Sequence, residues 1–228
     1  MLDRIEKMER ELKDLKASLI ETDVVVLMDR SGSMQSNKSD HEGGLQAFVE
    51  KQKELPGNVY FTLVQFDNQN PFEIMYDGVT LDKVKNIKLD PRGLTPLRDA
   101  IGRTISHVNN RPKRDVIFLI VSDGQENSSK EYSQAQIKEM VISKKEQGWQ
   151  FLFVGTNFDV ITDGLNTGFD LGKNVTYTNN TQSINKAYDM AGTKFNSYRS
   201  CRAAGQSVHV SSANLDFSQE ELNEIKEA

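Results

Sequence analysis

The chain contains two solidly apolar runs, and an aspartate follows the end of each. Residues 24–28 precede Asp29, and residues 116–121 precede Ser122 and Asp123. A short, continuous apolar run is typical of a strand that is covered on both faces, as in parallel sheets with helices on each side. Because parallel strands of one sheet end at a common edge, these two aspartates are expected to lie near each other at that edge.

The remainder of the central region alternates between helix and strand patterns. Helical spacing occurs at 39–54, 97–108, 134–147 and 183–198, and strand patterns occur at 59–66, 72–79, 149–154 and 175–177. Alternation of this kind predicts a Rossmann-like α/β fold, a doubly wound and mostly parallel sheet flanked by helices. A short turn at 67–71 predicts that residues 72–79 return as a hairpin strand at the edge of the sheet.

Several oxygen-bearing side chains follow the strand ends. Asp29, Ser31 and Ser33 occupy alternate positions of a tight loop, Thr95 lies in a second loop, and Asp123 follows the second apolar run. Hard oxygen donors of this kind suit Mg²⁺, with Mn²⁺ or Ca²⁺ as alternative ions. Taken alone, a loop serine is usually a turn former and a loop aspartate is often a helix cap. It is the joint occurrence of the five residues that predicts a metal site.

The order Asp-x-Ser-x-Ser, then Thr, then Asp resembles the metal-ion-dependent adhesion site of von Willebrand factor type A domains. The resemblance covers residues 23–200 and includes all five of these positions. It implies that the hydroxyls of Ser31, Ser33 and Thr95 are direct or near-direct ligands, and that Asp29 and Asp123 are often bridged by water. It also implies an open coordination position for a Glu or Asp side chain of a protein partner, so that the function is binding.

Two further segments sharpen the resemblance. Residues 118–127 and 148–157 look most like bacterial and bacteriophage members of the family. Arg30 departs from the small residue that is frequent at this position in adhesive animal members. We expect Arg30 to alter access to the metal or to contact an acidic partner.

The segment from Met1 to Thr22 has a separate pattern. Its apolar residues recur at heptad spacing, with Ile5, Leu12 and Leu19 at position a and Met1, Met8 and Leu15 at position d. In a parallel pair of helices, Arg4 would face Glu9 and Glu11 would face Lys16. The pattern predicts a coiled coil that self-associates. The alternative is an amphipathic helix that lies on its own domain or on another protein, because three heptads are short for a free-standing coiled coil.

The sequence therefore divides into three parts. Residues 1–22 form the N-terminal helix, residues 23–200 the central domain, and residues 201–228 a polar linker with a short acidic helix. Ser218 and Glu221 have the spacing of a capping box at the start of that last helix, and Leu222 with Ile225 gives it one apolar face.

Composition excludes several classes of protein. No apolar run approaches the roughly 18 residues that a membrane span requires, and the charged N-terminal segment does not resemble a secretion signal. We therefore expect a cytoplasmic protein of a bacterium or of a phage-infected cell. The net charge of −5 disfavours nucleic acid as a partner. Cys201 is the only cysteine, which excludes an internal disulfide.

Catalysis finds little support in the sequence. It has neither the glycine spacing of a phosphate-binding loop nor a Gly-x-Ser-x-Gly nucleophile elbow. His41 is a candidate base because it is near the metal loop in sequence, although it is better explained as a residue that caps or faces the first helix. We expect a non-enzymatic interaction module. The alternatives are a structural component of a phage particle or multiprotein complex, in which the metal is secondary, and, less favoured, a Mg²⁺-dependent phosphotransferase or hydrolase.

Overall fold

The computed structural model describes residues 20–156 and 168–228, together with residues 4, 5, 7, 8, 11, 12 and 15. The described strands are β1 (Glu21–Asp29), β2 (Asn58–Phe66), β3 (Glu73–Thr80), β4 (Asp115–Ser122), β5 (Gln150–Gly155) and β6 (Asn174–Thr176). They form a six-stranded sheet in the order β3-β2-β1-β4-β5-β6. Only the pairing of β2 with β3 is antiparallel, and β3 is an edge strand. The predicted mostly parallel sheet and its hairpin edge are confirmed.

Helices cover both faces of the sheet. They are α1 (Lys38–Gln52), α2 (Leu97–Val108), α3 (Gln134–Glu146), α4 (Thr181–Ala203), α5 (Val208–Ser212) and α6 (Gln219–Glu227), with short 3₁₀ helices at Gly32–Asn37, Leu81–Lys83, Leu171–Lys173 and Ala213–Leu215. One core cluster lies between the sheet and α1 and α4, and a second lies between the sheet and α2 and α3. This is the doubly wound α/β architecture that the alternation of patterns predicted.

The two central strands are buried on both faces. In β1, Val24, Val26 and Met28 belong to one core cluster, whereas Val25 and Leu27 belong to the other. β4 alternates in the same way, and every residue from 116 to 122 is buried. Since side chains of a strand point alternately to the two faces, only an apolar residue at every position can fill both cores.

The C-terminal part packs on the domain, which differs from the expected polar linker. α4 continues to Ala203, and α5 begins only a few residues later. Leu215, Phe217 and Ile225 are buried in the same core cluster as α4. The predicted capping box is present, because the Ser218 side chain accepts from the Glu221 backbone and the Glu221 side chain accepts from the Ser218 backbone.

The acidic side chains of α6 are paired with lysines of α4. Lys194 lies 2.7 Å from Glu221, and Lys186 lies 3.0 Å from Glu224. Together with the buried Ile225, these contacts hold α6 along α4. The negative charge in this segment therefore serves, at least at these two positions, to dock the helix on its own domain.

The residues described between positions 4 and 15 of the N-terminal segment are helical. Ile5, Met8, Leu12 and Leu15 are each 51–61% exposed, so the apolar stripe is not buried at these positions. Thr22, the last position of the predicted heptad register, lies in β1 instead, while Met1 and Leu19 lie outside the described residues.

Within the described part of the chain, no helix combines the length and apolar character needed to span a membrane.

His41 lies on α1 and is enclosed between that helix and neighbouring tyrosines. Its side chain is 1% exposed, and its two ring nitrogens lie 3.1 Å from the Tyr188 hydroxyl and 3.3 Å from the Tyr177 hydroxyl. Burial lowers the pKa of His41 from 6.5 to about 4. His41 is therefore a neutral packing residue, as its position on the first helix suggested, and is poorly placed to act as a base for an exposed substrate.

Protonation of His41 should destabilise the fold. The unfolded chain binds a proton at this residue below pH about 6.5, whereas the folded chain does so only near pH 4, so stability falls as the pH drops through this interval. We expect the difference in the free energy of unfolding between the unsubstituted chain and the His41→Gln variant to decrease by about 2 kcal/mol between neutral pH and pH ~4.5. Urea denaturation at each pH measures it. The exposed His209→Gln serves as the control, and a pH-independent difference for His41→Gln would contradict the assignment.

Candidate metal centre

The loop after β1 is fixed across the carboxyl edge of the sheet by backbone hydrogen bonds. The Arg30 N–H donates to the Phe66 carbonyl at 3.0 Å, and the Gly32 N–H donates to the Gly93 carbonyl at 3.1 Å. The Arg92 N–H in turn donates to the Arg30 carbonyl at 2.8 Å. The loop is thereby held between the end of β2 and the segment that precedes α2.

Both carboxylate oxygens of Asp29 have hydrogen-bond donors. Oδ1 accepts from the Ser31 N–H at 2.6 Å, and Oδ2 accepts from the Ser122 hydroxyl at 2.6 Å. Asp29 is fully buried. Ser122 is not among the predicted site residues, and the only signal for a role in the sequence is its place beside Asp123 at the end of β4. The structure shows that Ser122 joins the two central strands at their carboxyl ends.

Hydrogen bonds between side chains connect three more of the predicted site residues. The hydroxyl oxygens of Ser31 and Ser33 are 3.0 Å apart, and the Ser33 hydroxyl donates to Asp123 Oδ1 at 2.6 Å. The loop after β1 and the loop after β4 are thus joined by oxygen atoms. Ser33 is exposed and Asp123 is half-buried, so solvent reaches this side of the group.

Thr95 completes the group, and Gly124 reveals how closely its oxygens approach. A Cβ atom added to Gly124 would lie 2.8 Å from Thr95 Oγ1, 3.6 Å from Asp29 Oδ2 and 3.6 Å from Ser31 Oγ. Oxygens from the loop after β1 and from the loop of Thr95 therefore surround one small space, which a glycine of a third loop leaves open. The structure brings all five predicted site residues together.

The surroundings of the two carboxyl groups in this site disfavour their charged forms. Burial is the main cause that raises the pKa of Asp29 to about 7, hydrogen bonds from Ser122 and Ser31 oppose the rise, and the nearby Asp123 adds to it. Burial also raises the pKa of Asp123. Among the residues that the structure describes, no Lys, Arg or His forms an ion pair with either side chain. A cation at this position would relieve the penalty of holding both charges.

Arg30 does not line this site. Its side chain is 3% exposed, its Nε donates to Asp67 Oδ2 at 2.5 Å, and it also contacts Glu73. The expectation that Arg30 alters access to a metal or contacts an acidic partner is therefore wrong. The reason is the register of the sheet: Asp29 pairs with Phe66, so the residues that follow them, Arg30 and Asp67, are neighbours.

Two acidic residues outside the predicted site anchor the loop after β4. Asp99, in the first turn of α2, accepts from the backbone N–H groups of 130, 131 and 132 at 2.7, 2.9 and 3.0 Å. Glu126 accepts from the Arg98 N–H at 2.8 Å and from the Ser129 hydroxyl at 2.6 Å. The loop that carries Asp123 is therefore tied to the helix that follows Thr95.

Comparison with known proteins identifies the architecture. The family model of the von Willebrand factor type A domain matches residues 23–190. No curated protein matches the sequence.

Solved structures of this fold are similar to the chain at low sequence identity. Proximal thread matrix protein 1 from the mussel byssus, whose metal-ion-dependent adhesion site (MIDAS) motif is occupied by zinc, has a TM-score of 0.57. The sequence identity is 16% over 75% of this chain and 44% of that one. A von Willebrand factor type A protein from Catenulispora acidiphila has a TM-score of 0.59 at 12% identity over 86% and 43%. The pilus adhesin SpaC from Lactobacillus rhamnosus GG has 0.58 at 11% over 76% and 30%. The chain spans less than half the length of each of these three.

The buried position of Arg30 makes a testable prediction about stability. Arg30→Met removes one cation from the fully buried Asp67 carboxylate, and we expect the free energy of unfolding to fall by about 3 kcal/mol. Arg92→Met removes a partner of the same carboxylate that is 37% exposed, at a cost of less than ~1 kcal/mol. Urea denaturation of the two variants tests this. Equal losses would show that Arg30 is no more important to the fold than its exposed neighbour.

Proposed function

The chain belongs to the von Willebrand factor type A family, and from that membership we propose that it is a non-catalytic, Mg²⁺-dependent protein-interaction module. The observation that carries the proposal is the convergence of Thr95, Asp29 and Ser31 oxygens around the space at Gly124. The mussel protein with a zinc-occupied MIDAS motif supports a divalent ion at the corresponding place in this fold.

The proposed ligands divide by charge. The hydroxyl oxygens of Ser31, Ser33 and Thr95 would hold the ion, while Asp29 and Asp123 would neutralise its charge directly or through water. Hydroxyls rotate freely, so the hydrogen bonds that now join Ser31, Ser33 and Asp123 leave lone pairs that can turn towards a cation. Hard oxygen donors favour Mg²⁺, with Mn²⁺ or Ca²⁺ as alternatives.

The small number of acidic ligands explains why such a site would bind a partner. Within the described residues, no three His, Cys, Asp or Glu side chains form a metal-binding cluster, so the negative charge at the site comes from two carboxylates alone. A divalent ion held mainly by neutral hydroxyls retains attraction for a further carboxylate. We therefore propose a protein partner that presents a Glu or Asp side chain to the metal. We do not propose nucleic acid or a membrane as a partner. We propose a cytoplasmic setting in a bacterium or a phage-infected cell.

The geometry of the site favours binding over catalysis. The nearest candidate base in sequence, His41, is buried between two tyrosine hydroxyls, and its pKa of about 4 reflects that enclosure. Each oxygen of Asp29 is already engaged by a hydrogen bond within the fold. These contacts disfavour the alternative of a Mg²⁺-dependent phosphotransferase or hydrolase, because His41 and Asp29 are both engaged within the fold.

We further propose that the N-terminal helix oligomerises the protein. Ile5, Met8, Leu12 and Leu15 expose an apolar stripe at coiled-coil spacing, which a second copy of the same helix would cover. The same stripe supports the alternative function, a structural component of a phage particle or multiprotein complex in which the metal is secondary.

The metal site can be tested with Mg²⁺ alone. We expect the unsubstituted chain to bind Mg²⁺ in isothermal titration calorimetry, and we expect Thr95→Val and Gly124→Ala to weaken binding at least ~10-fold. The first removes a ligand oxygen, and the second places a methyl group in the space between the oxygens. Ser36→Ala, which removes an exposed hydroxyl from the same 3₁₀ helix as Ser33, should bind normally. Normal Mg²⁺ binding by both the Thr95→Val and the Gly124→Ala variant would contradict the proposed metal site.

The oligomer can be tested by light scattering in Mg²⁺ and in EDTA. We expect the full chain to be an oligomer, a chain that begins at Glu21 to be a monomer, and EDTA to change neither. Leu12→Glu should also give a monomer because it places a charge in the apolar stripe, whereas Ile142→Glu, at a 42% exposed apolar residue of α3, should not. A monomeric full chain would exclude self-association through this helix.

A further inference from the structure

We infer that Asn127 and Asn68 are positioning residues for Thr95, acting as two clamps on the short segment 94–95, one on each residue of the segment. The inference rests on the proposed metal site, because its consequence is the placement of the Thr95 hydroxyl. It concerns two asparagines in separate loops, neither of which belongs to the predicted set of ligands.

Asn127 pairs with Thr95 through two reciprocal hydrogen bonds. The Thr95 N–H donates to Asn127 Oδ1 at 2.9 Å, and the Asn127 N–H donates to the Thr95 carbonyl at 3.1 Å. Both backbone polar groups of Thr95 are therefore engaged by one residue. Since Asn127 follows Asp123 in the same loop, this pairing fixes one proposed ligand relative to the loop of another.

Asn68 pairs with Leu94 in the same manner. The Leu94 N–H donates to Asn68 Oδ1 at 2.9 Å, and the Asn68 N–H donates to the Leu94 carbonyl at 3.1 Å. The fit is close, because a Cβ atom on Gly93 would lie 2.0 Å from Asn68 Oδ1, and Gly93 has a φ of 68°. Glycine is thus required beside this clamp for both steric and conformational reasons.

The two clamps replace the regular structure that the segment lacks. Residues 94 and 95 belong to neither a helix nor a strand, yet Thr95 is 2% exposed. Their four backbone polar groups would otherwise require helix or sheet partners or water. With the backbone of both residues held, the Thr95 hydroxyl keeps its place near Asp29 and Ser31. A ligand that is fixed before the ion arrives loses little conformational freedom on binding.

The experiment compares Mg²⁺ affinities by calorimetry, with stability measured separately in EDTA. We expect Asn127→Ala to weaken Mg²⁺ binding at least ~10-fold, which is typical when a residue that orients a ligand is removed. Asn127→Asp keeps an acceptor oxygen for the Thr95 N–H. Its affinity for Mg²⁺ should be within ~3-fold of that of the unsubstituted chain, or higher. Asn68→Ala should weaken binding in the same direction as Asn127→Ala.

Asn110→Ala is the matched control. Asn110 also bonds a backbone group through its side chain, to the Ser106 carbonyl at 3.0 Å, but it follows the end of α2 that is remote from Thr95. It should leave the Mg²⁺ affinity unchanged. Urea denaturation in EDTA identifies a variant that fails to fold, in which case Asn127→Asp and Asn68→Ala decide the question.

The outcomes separate the two proposals. Failure of the unsubstituted chain to bind Mg²⁺ would overturn the metal site and the clamps together. Mg²⁺ binding by the unsubstituted chain, with equal affinity in folded Asn127→Ala and Asn68→Ala, would overturn the clamps alone. Equal losses in Asn127→Ala and Asn127→Asp would also overturn them, because the acceptor oxygen would then be irrelevant.

Discussion

The parallel pairing of β1 with β4 is the constraint on which the rest of the structure depends. Met28 pairs with Val121, so Asp29 and Ser122 follow at the same edge of the sheet and their side chains meet at 2.6 Å. Parallel strands need crossover connections, and these connections supply the helices that bury both faces. The same pairing therefore builds the core and brings the carboxylates and hydroxyls of distant segments together.

Loops at this edge are held mainly by polar contacts. Backbone bonds fix the loop after β1, Asp99 and Glu126 fix the loop after β4, and Asn68 with Asn127 fixes the segment that carries Thr95. Buried polar groups need such partners, so each loop has few alternative conformations. The result is a hydrogen-bonded frame around two carboxylates that lack a basic partner among the described residues. The placed oxygens and the unbalanced charge together make this edge suited to a cation.

The two terminal segments of the chain differ in whether their apolar residues are buried against the domain. α6 is acidic and short, but Ile225 enters the core and lysines of α4 pair with its carboxylates, so it is part of the domain. The N-terminal helix has more apolar residues, yet its described apolar stripe remains exposed. The number of apolar residues therefore does not decide which segment is buried, because the few apolar residues of α6 are in register with a surface of the domain.

By itself, the sequence determined the fold class, the order of most elements and the five candidate site residues. Buried strands, helix periods and the residues that follow strand ends are local patterns, and local patterns can be interpreted without coordinates. Only the tertiary structure decided the roles of Arg30, Ser122, Asn68 and Asn127. Each depends on which loops become neighbours, since the partners of Arg30 and Asn127 lie in segments far away along the chain. Such contacts have no local period, and they arise only once the strand order has been set.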